Sequence, residues 1–158
     1  MKRLILVNPV GRRSGFILSR ISRFPPLGLA YAAAVTPDGW DIKILDENFG
    51  PADLEDADLV GYTAFTSTVG RAYEIAAEYR KRGTPVVMGG IHASMLPDEV
   101  LRYADAVVTG EIEGIWGRVI EDFEHGRMKG IYKGPLVDLE NYDILPRQIG
   151  RASCRERV

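Results

Sequence analysis

The sequence has a single cysteine, Cys154, and two histidines, His92 and His125, in 158 residues. One thiol excludes an internal disulfide framework, so a reducing, cytoplasmic setting is the expectation. Neither sign of charge dominates. A formal net charge of −2 removes the electrostatic grounds for a nucleic-acid or anionic-membrane partner. Long apolar runs are missing as well: the N-terminal LILV is too short for a signal peptide or a spanning helix. Glycine occurs after the first apolar run, at Gly11 and Gly15, but not in the GxGxxG spacing of a dinucleotide fingerprint. What is present is an ordinary globular composition, 46% hydrophobic and 27% charged, in a length that suits one domain.

The last ten residues, IGRASCRERV at 149–158, carry no apolar period. They match the translation of a common sequencing adapter and are read as an artefact that stands outside the fold. The natural protein is then expected to continue past Gln148.

Short apolar runs alternate with helical stretches along the rest. Strands are expected at Arg3–Asn8, Asp41–Asp46, Asp58–Phe65, Pro85–Gly90 and Asp105–Gly110. Helices are expected at Phe24–Val35, with Pro25 and Pro26 where a missing N–H costs least, and at Thr68–Gly83. Two more follow, a short one at PDEVLRYA and one at GIWGRVIEDFEHG, while Met128–Leu145 is weakly patterned. Alternation of this kind implies parallel strands joined by right-handed crossovers. The expected fold is α/β, a flavodoxin-like (Rossmann-like) three-layer sandwich with a five-stranded parallel sheet in the order 2-1-3-4-5. Residues 1–127 form the domain and 128–148 a linker.

In such sheets ligands bind beyond the C-terminal strand ends. The first of these loops, NPVGRRSGFILSRISRF, is long and carries Arg12, Arg13, Arg20 and Arg23, most simply read as solvated charges. The third strand ends in TAFTSTVG, whose hydroxyls exceed what a single helix N-cap needs. The fourth ends in GGIHAS and the fifth in TGEIEG, where Glu113 could also serve a helix dipole. Glycine with small polar groups at successive strand ends suits an extended ligand held close to backbone. A tight structural turn would use the same glycines. Asp46 and Glu47 are read as turn or capping residues, and Trp40 and Trp116 as packing residues.

The stretches FPPLGLAYAAA, GGIHAS and GEIEG, in this order and spacing, resemble the N-terminal cobalamin-binding domain of cobalamin-dependent radical SAM enzymes, with hopanoid C-methyltransferases the nearest subgroup. The resemblance implies a cobalamin-binding module of a methyltransferase. It implies that Thr66 and Ser67 meet the nucleotide tail of cobalamin and that Gly89 and Gly90 make room for it. His92 would sit beside the tail or the next loop. Gly110, Glu111 and Glu113 would line the far side, with Pro25, Pro26, Leu27 and Gly28 near the corrin. The 4Fe–4S cluster and S-adenosylmethionine would belong to a further domain, because no CxxxCxxC occurs in this chain. No residue here is assigned a catalytic or metal-ligating role. The older cobalamin motif DxHxxG is also absent, which implies cobalt without a histidine lower ligand. Two other readings suit the same residues: a stand-alone flavodoxin-like domain for nucleotides or sugar nucleotides, and a scaffold domain that has lost cobalamin.

Overall fold

The computed structural model of the chain describes residues 1–11 and 26–136. Pro25, the four loop arginines, Cys154 and the last ten residues lie outside them. Strand β1 (Lys2–Asn8) has four consecutive fully buried residues, as a strand covered on both faces must. It is followed by α1 (Leu27–Ala34), β2 (Trp40–Asp46), β3 (Leu59–Thr63) and α2 (Val69–Lys81). Then come β4 (Val86–Gly89), α3 (Ile91–Met95), α4 (Pro97–Val100), β5 (Ala106–Thr109), α5 (Trp116–Glu124) and β6 (Gly130–Lys133). All pairings are parallel.

Among the described residues the sheet has six strands in the order β2-β1-β3-β4-β5-β6, not five. The additional strand is β6, inside the segment expected to be linker. It pairs in register with β5 from Ala106↔Gly130 to Thr109↔Lys133. Tyr132 fixes it to α5 by donating its hydroxyl to Asp122 at 3.0 Å.

Side chains alternate between two cores. Ile5, Val7, Val60, Val86, Met88 and Val107 face α2, α3 and α4. Leu4, Leu6, Leu59, Val87, Ala106 and Val108 face α1 and α5. The period of two along each strand thus builds both outer layers at once. Because α5 lies on the face of α1 while β6 extends the sheet beyond β5, the β5–α5–β6 crossover is opposite in hand to the three helical crossovers before it.

Helix α2 is held by Ala72, Ile75, Ala76 and Tyr79, spaced at three and four, and Arg80 and Lys81 sit in its last turn where cations are favoured. Gly83 follows it with φ +79. Thr68 occupies the N-cap but adopts a helical φ of −112° and ψ of −9°, with no side-chain bond into the helix. Its hydroxyl instead accepts from the Phe65 N–H at 3.1 Å, closing the β3–α2 turn. Among the described residues no helix is long and apolar enough to cross a membrane.

Candidate functional site

The α1/α5 face of the sheet does not close completely. A cavity of about 240 Å³ opens between α1, α5 and the C-terminal halves of β3, β4 and β5. Its floor follows from the strand period. Leu6, Gly61, Val87, Gly89 and Val108 share this face, and at two of the five there is no side chain. Gly61 pairs with Val87, and Gly89 with Thr63, so the two glycines lie in neighbouring strands, with Leu6 packed over Gly61 and open space over Gly89. Across from them, α1 contributes Gly28, where an added Cβ would meet nothing within 4 Å. The wall is completed by Trp116, 2% exposed. Its indole N–H donates to the Thr36 hydroxyl at 2.8 Å, and that hydroxyl donates on to the Ala32 carbonyl at 2.6 Å.

The glycines do different work. A Cβ on Gly89 would stand 3.6 Å from the nearest protein atom, an ordinary contact, so the space over it is free. Gly90 has φ +94 and ψ −174, a region open essentially to glycine alone, and its Cβ would lie 2.6 Å from Thr63 Oγ1. It is a turn glycine. Gly110, at φ +76, likewise turns the chain, with its Cβ direction blocked 2.8 Å away by the Gly134 carbonyl. Gly61 sits under Leu6, whose Cδ2 would be 2.7 Å from an added Cβ.

Of the residues singled out in the sequence, the cavity brings together Gly28, Gly89, Gly90, Gly110 and Glu113. Pro26 caps α1 and Leu27 is exposed at its start. Glu111 is half-buried in the β5–α5 loop. Thr66 and Ser67 are exposed in the β3–α2 loop and do not line the cavity. His92 is buried on the other side of the sheet, among α2, α3 and α4. Its Nδ1 is 3.1 Å from Thr66 Oγ1, and its Nε2 is 3.4 Å from both Tyr73 Oη and Glu99 Oε1. Burial, then the bond to Glu99, push the Tyr73 hydroxyl above its usual range and keep it a donor. Thr63, the first hydroxyl of TAFTSTVG, also lines the cavity, and Gly61, Tyr31 and Ile112 line it without having been singled out. A glycine inside the apolar run LVGYT was the available signal for Gly61.

Asp46 and Glu47 organise the neighbouring edge. Asp46 Oδ1 accepts from Asn8, from the Asn48 N–H and from the Asn48 side chain at 2.9–3.0 Å, a turn role as expected. Glu47 holds Arg71 of α2, the Val10 N–H and the Ala52 N–H at 2.8–3.2 Å. Burial alone would push this carboxyl up. The Arg71 guanidinium and the two backbone donors outweigh it and hold the carboxyl below its usual range. Among the described residues no group of three or more His, Cys, Asp or Glu gathers as a metal site.

Residues 14–119 of the sequence match the family model of the B12 binding domain. The chain belongs to the B12-binding domain family. A bacteriochlorophyllide d C-8(2)-methyltransferase of Chlorobaculum tepidum is 39% identical over 138 residues, covering 84% of this chain and 30% of that protein. The hopanoid C-2 methylase of Rhodopseudomonas palustris is 29% identical over 104 residues, covering 64% of this chain and 20% of its own length. Among solved structures, the radical S-adenosylmethionine methyltransferase TsrM of Kitasatospora setae, determined with cobalamin and a 4Fe–4S cluster bound, superposes with a TM-score of 0.64 at 25% identity. That match covers 80% of this chain and 27% of TsrM. The B12-binding chain thus spans less than a third of each of these relatives.

Proposed function

We propose that this chain is the cobalamin-binding module of a B12-dependent radical SAM methyltransferase, and that the cavity between α1 and α5 takes the nucleotide tail of the cofactor. The observation that carries the proposal is the open space over Gly89, faced by Gly28 across the slot. At about 240 Å³ the cavity is smaller than the roughly 300–1,000 Å³ that enclose a whole drug-sized ligand. It suits one planar heterocycle inserted edge-on, with the larger body of the ligand outside, over the C-terminal strand ends. Exposed Leu27, Phe65 and Ile91 at that edge offer apolar surface for a flat macrocycle.

Bound cobalamin supplies a cobalt centre able to receive and hand over a methyl group. The residues of this chain position it. Gly89 leaves the slot open, Trp116 and Ile112 shield the inserted group from water, and Gly90 and Gly110 let the loops turn away from it. The module runs through β6, and the segment beyond leads toward a domain holding the iron–sulfur cluster and S-adenosylmethionine. The names of the relatives support methyl transfer as the activity of the whole protein.

Titration of the purified chain with hydroxocobalamin, followed by visible absorbance, tests the proposal. A saturable spectral shift that survives gel filtration is expected. A folded chain, with its module complete through β6, that leaves the spectrum unchanged would refute it.

A further inference from the structure

His92, 3% exposed, takes no part in the cavity, yet its hydrogen bonds have a direction. Nε2 faces two oxygens at 3.4 Å, Glu99 Oε1 and Tyr73 Oη. Both act as acceptors toward it, because the Tyr73 O–H is itself given to the Glu99 carboxylate at 3.0 Å. For a neutral ring this arrangement assigns the proton to Nε2. A neutral imidazole then has a bare Nδ1, which takes the Thr66 hydroxyl proton at 3.1 Å. Thr66 Oγ1 is left with lone pairs alone, on an exposed loop just past the C-terminal end of β3. A hydroxyl so committed accepts and does not donate.

We propose that His92 is a positioning residue that holds the Thr66 hydroxyl as a hydrogen-bond acceptor for a primary-amide N–H on the corrin rim. The inference rests on the cobalamin reading above and moves Thr66 from the tail to the macrocycle. Thr66 does not line the slot assigned to the tail. It lies instead at the strand-end edge where Phe65 and Ile91 are exposed. The corrin periphery carries amide side chains, and each N–H that leaves water needs an acceptor. An oxygen with its proton already committed discriminates for such donors and against carbonyl groups at the same point.

The test uses two probes, hydroxocobalamin and dicyanocobinamide, the second retaining the corrin amides without the nucleotide. Thr66→Val and His92→Phe are each expected to weaken both probes by about three- to tenfold, the range of one neutral hydrogen bond. The double variant should be no weaker than the poorer single, because both remove the same interaction. His92→Asn, whose carboxamide oxygen falls near the Nδ1 position, should recover most of the affinity. Nitrogen NMR of the His92 ring should show a protonated Nε2 and a bare Nδ1. Thr66→Val sits on the surface and decides the matter even if His92→Phe does not fold. A penalty that vanishes with cobinamide, penalties that add, or a protonated Nδ1 would overturn the proposal while leaving the cobalamin reading in place. Wild-type chain that binds neither probe would bring down that reading, and this one with it.

Discussion

Replacing Gly89 and Gly90 separately should divide ligand binding from folding. At Gly89 the backbone has no positive φ, and an added Cβ meets Val108 at ordinary contact distance. Gly89→Leu should therefore fold, with its side chain directed into the slot. The ligand would lose the insertion of a planar group. Burying about 150 Å² of aromatic surface at ~25 cal/mol/Å² contributes roughly 4 kcal/mol, so affinity should fall about 10²- to 10³-fold. Gly90→Ala should do the reverse. Its φ of +94 and the 2.6 Å approach to Thr63 Oγ1 impose both backbone strain and overpacking. Together these cost on the order of 2–6 kcal/mol. At ~2–4 °C per kcal/mol for a domain of this size, Tm should drop by at least about 4 °C. Thermal melts followed by circular dichroism, beside hydroxocobalamin titrations, provide the comparison. Gly89→Leu binding as tightly as wild type would sink the slot assignment. Loss of binding only in step with loss of the fold would do the same.

Glu47→Gln should destabilise the chain by about 1.5–3 kcal/mol at neutral pH, the range for hydrogen bonds to a charged group. The Glu47 carboxyl is depressed in the folded state, so its contribution is present above the unfolded pKa near 4.5 and is lost as pH falls through the lower folded value. Melts from pH 7 downward should show the gap between wild type and variant narrowing in acid; a constant gap would show that the charge is not responsible. Gly61→Ala should cost about 1–3 kcal/mol, because its Cβ would press on Leu6 Cδ2. Much of this should return in Leu6→Val/Gly61→Ala, and a double variant as unstable as the sum of its singles would show that the Leu6 contact is not the cause.

Much of this protein could be read along one dimension. Strand and helix identity follows from apolar period, and that period placed β1 to β5 and α2 within a residue or two. The order 2-1-3-4-5 is that of the flavodoxin-like fold that five alternating strands fit, and those five neighbours occur as expected. Strand β6 was not legible for two reasons. It is four residues long and starts at a glycine, and its crossover runs against the preferred hand, so no rule placed a strand beyond β5. The site divides in the same way. GGIHAS marks a strand end whose glycines suit either a tight turn or a close approach to backbone, and the sequence alone does not choose between them. Only the packed sheet separates Gly89, which ends the period of β4 on the α1/α5 face, from Gly90, which turns the chain. That turn carries His92, three residues from Gly89, to the opposite face, where it meets Thr66, Tyr73 and Glu99. Gly61 is marked in the sequence only as a glycine inside the apolar run of β3, and what lies over it is set by the packing of Leu6, α1 and α5. A cavity exists only where several elements fail to fill the space between them, and that depends on distances between residues far apart in the chain.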